Sequence, residues 1–188
     1  GVHVHLHTSL TQANLDAEHT WQIELKSTSE KIEVQSCMMV DATGKKAFFA
    51  TKQGCIKKKS DRLIGISRAY KSTDHQLSNS GAMVESVAYG WWYSSRLSYD
   101  TTVVCLMTDG DLAKTENLTH PDIFQQKLQE TKYTRQRITQ CTSKLTIKAA
   151  HSQILDQVVG AGWLAVGDSA SSFDPLSALG VYKALNLS

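Results

Sequence analysis

Short segments of alternating apolar and polar residues open this chain. Residues 1–8 alternate strictly, and residues 20–26 do so again. A period of two is typical of half-buried strands, so both segments predict strands. Residues 31–35 follow the second segment after a short turn and predict its hairpin partner. Residues 10–19 are polar with little periodicity and predict no regular element.

Two later segments are continuously apolar instead of alternating. They cover residues 37–40 and 163–166, and each is bounded by turn residues. Such runs are typical of strands buried on both faces, as in a parallel sheet. The first is followed by Asp41-Ala-Thr43-Gly44, and the second by Gly167-Asp168. The polar residues that follow these two segments are candidates for ligand binding.

The middle of the chain predicts an antiparallel sheet, because strand-like segments follow one another with short links. These segments are residues 63–70, 82–88, 91–97 and 101–108. Pro121 suits the first turn of a helix, and residues 121–133 carry a partly apolar stripe. That helix is expected to pack on the back of the sheet, and residues 145–149 to form another strand.

Composition narrows the functional class. The chain has 188 residues, 41% of them hydrophobic, and a formal net charge of +2. That charge is too small to argue for a nucleic-acid partner, and the lysines at 57–59 suit a solvated loop. No apolar run approaches the roughly 18 residues that a membrane helix needs. We therefore expect a cytoplasmic protein with neither a membrane nor a nucleic-acid partner.

Metal and acid–base candidates are weak. The four cysteines form no CxxC pair. His3, His5 and His7 share one strand face and could in principle bind a transition metal, but a solvated face is favoured, and no metal is predicted. Asp109 and Asp111 suggest paired carboxylates, although solvated residues after a strand are the preferred interpretation.

The run from Gly162 to Leu185 has an order that suits a negatively charged cofactor. Gly167 has no Cβ and lets a ligand approach the backbone. Asp168 offers a carboxylate to sugar or ribitol hydroxyls, and a helix near Gly180 presents free N–H groups. An ordinary strand–loop–helix joint is the alternative. For residues 41–44 the alternative is an ordinary turn at the end of a strand, in which Gly44 suits the turn and Thr43 caps it locally.

The same run resembles the second FAD fingerprint of flavoprotein monooxygenases that share the glutathione-reductase-like FAD fold. It is most similar to the branch of flavin-dependent halogenases and their non-halogenating relatives, some of which mature peptide-derived quinone cofactors. Residues 41–44 resemble the ATG motif of that family. The resemblance implies an α/β (α+β) chain, a partial Rossmann-like FAD-binding domain with an inserted antiparallel-sheet substrate domain. Residues 1–60 and 151–188 would form the first domain and residues 61–150 the second.

The resemblance also implies roles for individual residues, with FAD as the cofactor. Asp168 after Gly167 would bond the ribityl chain, and Thr43-Gly44 would lie against the adenosine half. The remaining implied contacts, near the isoalloxazine and its pyrimidine edge, are Asp174, Pro175, Leu179, Gly180 and Val181.

The segment 84–94 resembles the sheet that covers the flavin in this family and forms a substrate wall. Trp92 and Tyr93 would point to opposite faces of a regular strand, so one ring could stack on substrate while the other packs inside. Both are candidate substrate-binding residues, with core packing as the alternative for each.

The GxGxxG turn that opens FAD enzymes of this fold is absent from the chain. We therefore expect an internal fragment of a longer flavoprotein, which by itself binds FAD weakly or not at all.

The resemblance implies a monooxygenase in which reduced flavin and O2 give a C4a-(hydro)peroxide that acts on an aromatic or peptide-borne substrate. A flavin reductase or NAD(P)H would supply the electrons. A halogenase is the alternative, but its WxWxIP signature is replaced here by Trp91-Trp92-Tyr93-Ser94-Ser95-Arg96. A non-catalytic fragment without FAD is a further alternative. The sequence assigns no catalytic residue.

Overall fold

The computed structural model describes residues 1–28, 30–73, 81–98 and 100–177, together with 180, 182 and 185. The chain is sheet-rich and of the α+β class. It divides into two compact units: the first contains Gly1–Lys58 and Gln153–Phe173, and the second contains Lys59–Ser152 and Asp174–Ser177. None of the helices in the described ranges is long and apolar enough to cross a membrane.

The first unit begins with an antiparallel sheet in the order β1-β2-β3. Its strands are β1 (Ser9–Leu15), β2 (Trp21–Lys26) and β3 (Lys31–Ser36). The predicted β2–β3 hairpin is confirmed. The strand predicted at residues 1–8 is wrong, since Val2 and Val4 are exposed and no strand forms there. A strand, β1, forms instead in the polar segment that follows. Pairing with β2 satisfies the backbone N–H and C=O groups of β1, so the strand does not require an alternating sequence of its own.

A second sheet of this unit has the order β13-β14-β4. Its strands are β4 (Met39–Asp41), β13 (Val159–Gly160) and β14 (Trp163–Ala165). β4 and β14 pair in parallel, the kind of sheet that the apolar run indicated, although the sequence did not predict that these two strands are partners. The prediction that these strands are buried on both faces is wrong, because Trp163 is buried but Val40 is 56% exposed. Val40, Leu164 and Val159 are direct cross-strand neighbours and so share the outer face.

The first unit is completed by a helix and a small sheet. These are α1 (Phe48–Lys52) and the strands β5 (Lys57–Lys59), β12 (Gln153–Leu155) and β15 (Ser171–Ser172) in the order β15-β12-β5. Lysines 57–59 therefore form a strand instead of the expected loop. The core of the unit surrounds Phe49, whose ring meets Trp21 and Trp163 edge to face at centroid distances of 5.2 and 6.0 Å.

The second unit is built on one antiparallel sheet in the order β10-β6-β9-β8-β7, with β11 also paired to β6. Its strands are β6 (Leu63–Ser72), β7 (Met83–Val87), β8 (Gly90–Arg96), β9 (Thr101–Asp109), β10 (Ile138–Cys141) and β11 (Thr146–Ala149). The four predicted central strands and the strand at residues 145–149 are confirmed within a residue or two. Each pairing in this sheet is antiparallel, as expected.

Two helices, α2 (Gly110–Thr115) and α3 (Pro121–Gln129), follow β9. Pro121 occupies the first turn of α3 as predicted, and Phe124 and Leu128 are fully buried against the inner face of the sheet. The helix ends four residues before the predicted limit. The reason is that Glu85 on β7 accepts the N–H groups of residues 132–134, which therefore do not continue the helix.

Candidate functional site

The parallel pairing of β4 and β14 brings the two sequence motifs to one sheet edge. Ala165 lies beside Asp41 in the register, and the Val166 N–H donates to the Asp41 carbonyl at 3.0 Å. The 3-10 turns formed by residues 44–46 and 167–169 contact each other directly. Thr43, Gly44, Gly167 and Asp168 thus lie together at the carboxyl ends of the strands, the edge at which open α/β sheets bind ligands.

Gly44 and Gly167 both adopt left-handed backbone conformations, with φ of +68° and +56°. Side chains other than glycine rarely adopt them. A Cβ built at either residue would meet no atom within 4 Å. The two turns therefore present open backbone that a ligand can approach closely.

Polar groups at this edge remain available to a ligand. Asp168 is exposed, and its carboxylate accepts no hydrogen bond from the described ranges. Ser172 on β15, next to the turn at residues 44–46, is 1% exposed, and its hydroxyl finds no partner in the described part of the chain. An exposed carboxylate and an unsatisfied buried hydroxyl fit a ligand rich in hydroxyl and polar groups, as FAD is.

The hydroxyl of Thr43 is engaged locally. It donates to Asp41 Oδ1 at 2.6 Å and accepts the Phe48 N–H at 2.7 Å. The local role named as the alternative is therefore found in part: the hydroxyl accepts the N–H of Phe48 at the start of α1, but it forms no cap bond to the turn at residues 44–46.

Asp41 was not singled out as a site residue by the sequence, yet it is the most enclosed charged group of the site at 1% exposure. Oδ1 accepts from Thr43 N at 3.0 Å as well as from its hydroxyl, and Oδ2 accepts from Ala50 N at 2.8 Å. Burial alone raises the pKa of Asp41, but the hydrogen bonds from Ala50 and Thr43 outweigh it and lower the pKa. The sequence did contain a signal for Asp41: it is an acidic residue that directly follows the apolar run at residues 37–40 and lies two residues before Thr43.

Asp174 and Pro175 belong to the second unit. Asp174 Oδ1 accepts from Leu176 N at 2.8 Å, so this side chain caps the 3-10 turn Pro175–Ser177. Gly180 is helical, as the sequence predicted. Leu179 and Val181 lie outside the described residues.

Trp92 and Tyr93 point to opposite faces of β8, as predicted. Trp92 is fully buried, with its ring 5.0 Å from that of Phe124, whereas Tyr93 is 36% exposed. Trp92 is thus a core residue, as the alternative interpretation expected, and a substrate contact stays a prediction for it. Tyr93, flanked across the sheet by Val84 and Cys105, keeps that candidacy.

The weaker candidates behave as solvated groups. Asp111 forms a bidentate contact with Arg62 at 2.9 and 3.1 Å, and both side chains are 75% exposed. No cluster of three metal-ligating side chains, at His3, His5 and His7 or elsewhere, occurs in the described ranges.

No family model matches the chain. A curated relative from Marinomonas mediterranea, "Putative FAD-dependent oxidoreductase LodB", is 30% identical over 173 residues. The match covers 88% of this chain and 46% of the relative, so the chain spans about half the length of the curated relative it matches.

Solved structures share the fold. The flavin-dependent brominase Bmp2 superposes with a TM-score of 0.81 at 21% identity, covering 95% of this chain and 47% of that one. A flavoprotein/dehydrogenase from Cytophaga hutchinsonii gives 0.81 at 12% identity, with 95% and 45% covered. Aklavinone-11 hydroxylase, solved with FAD and aklavinone, gives 0.74 at 10% identity, with 95% and 35% covered. By sequence the chain is thus similar to an FAD-dependent oxidoreductase, and it shares its fold with solved structures of a flavin-dependent brominase and an FAD-dependent hydroxylase.

Proposed function

We propose that this chain is the part of an FAD-dependent monooxygenase that binds the flavin nucleotide and carries a substrate-binding sheet. The observation that carries the proposal is the meeting of the Thr43-Gly44 and Gly167-Asp168 turns at the ends of two parallel strands. Two turns with open glycine backbone beside an exposed carboxylate are what a hydroxyl-rich dinucleotide needs.

The residues of the first unit divide the task of binding. Gly44 and Gly167 leave room for close contact, and Asp168 accepts hydrogen bonds from ribityl hydroxyls. The N–H groups of the helix at Gly180 offer partial positive charge to the electron-rich edge of the flavin ring. When bound, FAD supplies the redox chemistry, drawing electrons from a flavin reductase or from NAD(P)H.

The second unit supplies the substrate surface in this proposal. Tyr93 is a partly exposed aromatic ring on β8, on the face opposite to the buried Trp92. An aromatic side chain in that position suits stacking on an aromatic or peptide-borne substrate. Monooxygenation is preferred to halogenation because the halogenase tryptophan motif is replaced by Trp91-Trp92-Tyr93-Ser94-Ser95-Arg96.

The test uses the whole protein that contains this chain. We expect it to purify with bound FAD, and Asp168→Ala to weaken FAD binding about tenfold, as expected for one lost hydrogen bond to a charged group. Glu18→Ala, which removes another exposed carboxylate of the same unit, is the control and should leave affinity unchanged. Absence of FAD binding by the wild-type protein would overturn the proposal.

The reaction class needs a separate measurement. The reduced protein is supplied with O2 and with monochlorodimedone as a probe, in the presence and absence of bromide. A monooxygenase consumes O2 without brominating the probe. A loss of the probe's absorbance that depends on bromide would show halogenation and would overturn the proposed monooxygenase reaction.

A further inference from the structure

We propose that Asp41 is the positioning residue of the cofactor site: its carboxylate holds the Thr43-Gly44 turn and its carbonyl holds the Val166-Gly167 turn. This inference rests on the proposed FAD site. It adds a group that would not touch the cofactor but would set the geometry of both turns that do.

The carboxylate holds both ends of one loop. Oδ1 accepts the backbone N–H and the hydroxyl of Thr43, where the loop starts. Oδ2 accepts the N–H of Ala50 inside α1, where the loop ends. The hydroxyl of Thr43 continues the network to Phe48 N at 2.7 Å. One buried carboxylate thus ties the two ends of residues 43–50 together, while Gln153 and Lys57 bond the carbonyls of Lys45 and Lys46 between them.

That loop would not hold its shape unaided. Gly44 has φ of +68°, and the buried Ala47 has φ of +44°, a left-handed conformation that residues with a Cβ rarely adopt. Such backbone persists only where surrounding contacts enforce it. The bonds that Asp41 accepts on either side of these two residues are among the contacts that enforce it.

The backbone of the same residue reaches the second turn. Its carbonyl accepts the N–H of Val166 at 3.0 Å, immediately before Gly167. Displacing Asp41 therefore moves both turns together. Because the open space at Gly44 and Gly167 depends on their backbone conformations, a change at Asp41 should lower cofactor affinity by more than an equal loss of stability elsewhere in the unit does.

The experiment compares FAD dissociation constants and apo-protein melting temperatures for variants of the whole protein. Asp41→Asn keeps the size of the side chain but turns one acceptor into a donor facing the N–H of Ala50 or Thr43. We expect FAD binding to weaken at least about tenfold, with an altered visible circular dichroism of the bound flavin.

Thr43→Val and Thr43→Ser keep the proposal testable should Asp41→Asn fail to fold. Valine removes the hydroxyl that links Asp41 to Phe48 and should weaken FAD binding about tenfold. Serine restores the hydroxyl and should return the affinity to within about twofold.

Ile23→Val, on β2 in the core of the same unit, is the stability control. It should lower the melting temperature with unchanged FAD affinity. The inference is overturned if Asp41→Asn and Thr43→Val bind FAD like the wild type, or if Ile23→Val weakens binding as much for an equal loss in melting temperature. Wild-type protein that binds no FAD would instead reject the proposed function itself.

Discussion

Glu85 on β7 accepts two hydrogen bonds from Thr134, at 2.7 Å from its N–H and 2.7 Å from its hydroxyl. The same carboxylate accepts the N–H groups of Lys132 at 2.6 Å and Tyr133 at 3.1 Å. One acid thereby anchors the segment after α3 to the sheet, 47 to 49 positions away along the chain. The second unit depends on this contact for the exit of its main helix.

Removing that carboxylate should destabilise the second unit. Glu85→Ala leaves the N–H groups of residues 132–134 without their acceptor, and Thr134 is fully buried. We expect a loss of about 3 kcal/mol in the free energy of unfolding, from two or more unsatisfied donors. Urea denaturation measures it. Glu116→Ala removes only a 3.9 Å surface contact with Lys127 and should cost less than about 1 kcal/mol; an equal loss in both variants would contradict the assignment.

The contribution of Glu85 should depend on pH. Burial raises the pKa of this carboxyl, but the hydrogen bonds from Thr134 and its neighbours outweigh it, so the pKa lies below the ordinary 4.5. Because its pKa is lower in the folded state, the ionised carboxylate stabilises the folded protein at every pH above the unfolded-state pKa. That stabilisation is lost as the pH falls through the folded-state pKa. The stability difference between wild type and Glu85→Ala should be constant from near neutrality down to about pH 5 and shrink in more acidic solution. A difference that grows on acidification would show the opposite sign.

The two faces of β8 predict opposite responses from adjacent residues. Trp92→Ala opens a cavity against Phe124 and should lower the free energy of unfolding by about 3–5 kcal/mol. Tyr93→Ala, on the exposed face, should cost less than about 1 kcal/mol. Thermal unfolding of the pair checks this, and comparable losses would mean that Tyr93 is packed as tightly as Trp92.

Thiol reactivity should separate the cysteines. Cys37 and Cys141 are exposed, whereas burial raises the pKa of Cys105 to about 11. Because the thiolate is the nucleophile, Cys105 should react with iodoacetamide at pH 8 at least about a hundredfold more slowly than Cys37. Mass spectrometry of timed digests gives the rates. Full labelling in urea is the control, and fast native labelling of Cys105 would show that its strand opens.

Local patterns determined much of the secondary structure. Period or composition predicted the strands at residues 20–26 and 31–35 and the strands of the second unit. A strand that packs on one face needs apolar residues at every second position, so the pattern is visible in the sequence. Pro121 marked the start of α3. The pattern failed at residues 1–8, where alternation alone lacked a partner strand, and at the end of α3, where a distant carboxylate takes the N–H groups.

The sequence by itself determined the two turn motifs and the residue types that suit a flavin nucleotide, since Gly167-Asp168 and Thr43-Gly44 carry their chemistry locally. Only the tertiary structure decided that the motifs meet, because residues more than a hundred positions apart become neighbours through the parallel pairing of β4 with β14. It also decided that Trp92 is core and that Asp41 joins the two turns. Burial and long-range hydrogen bonds arise from pairing and packing, which no local pattern contains.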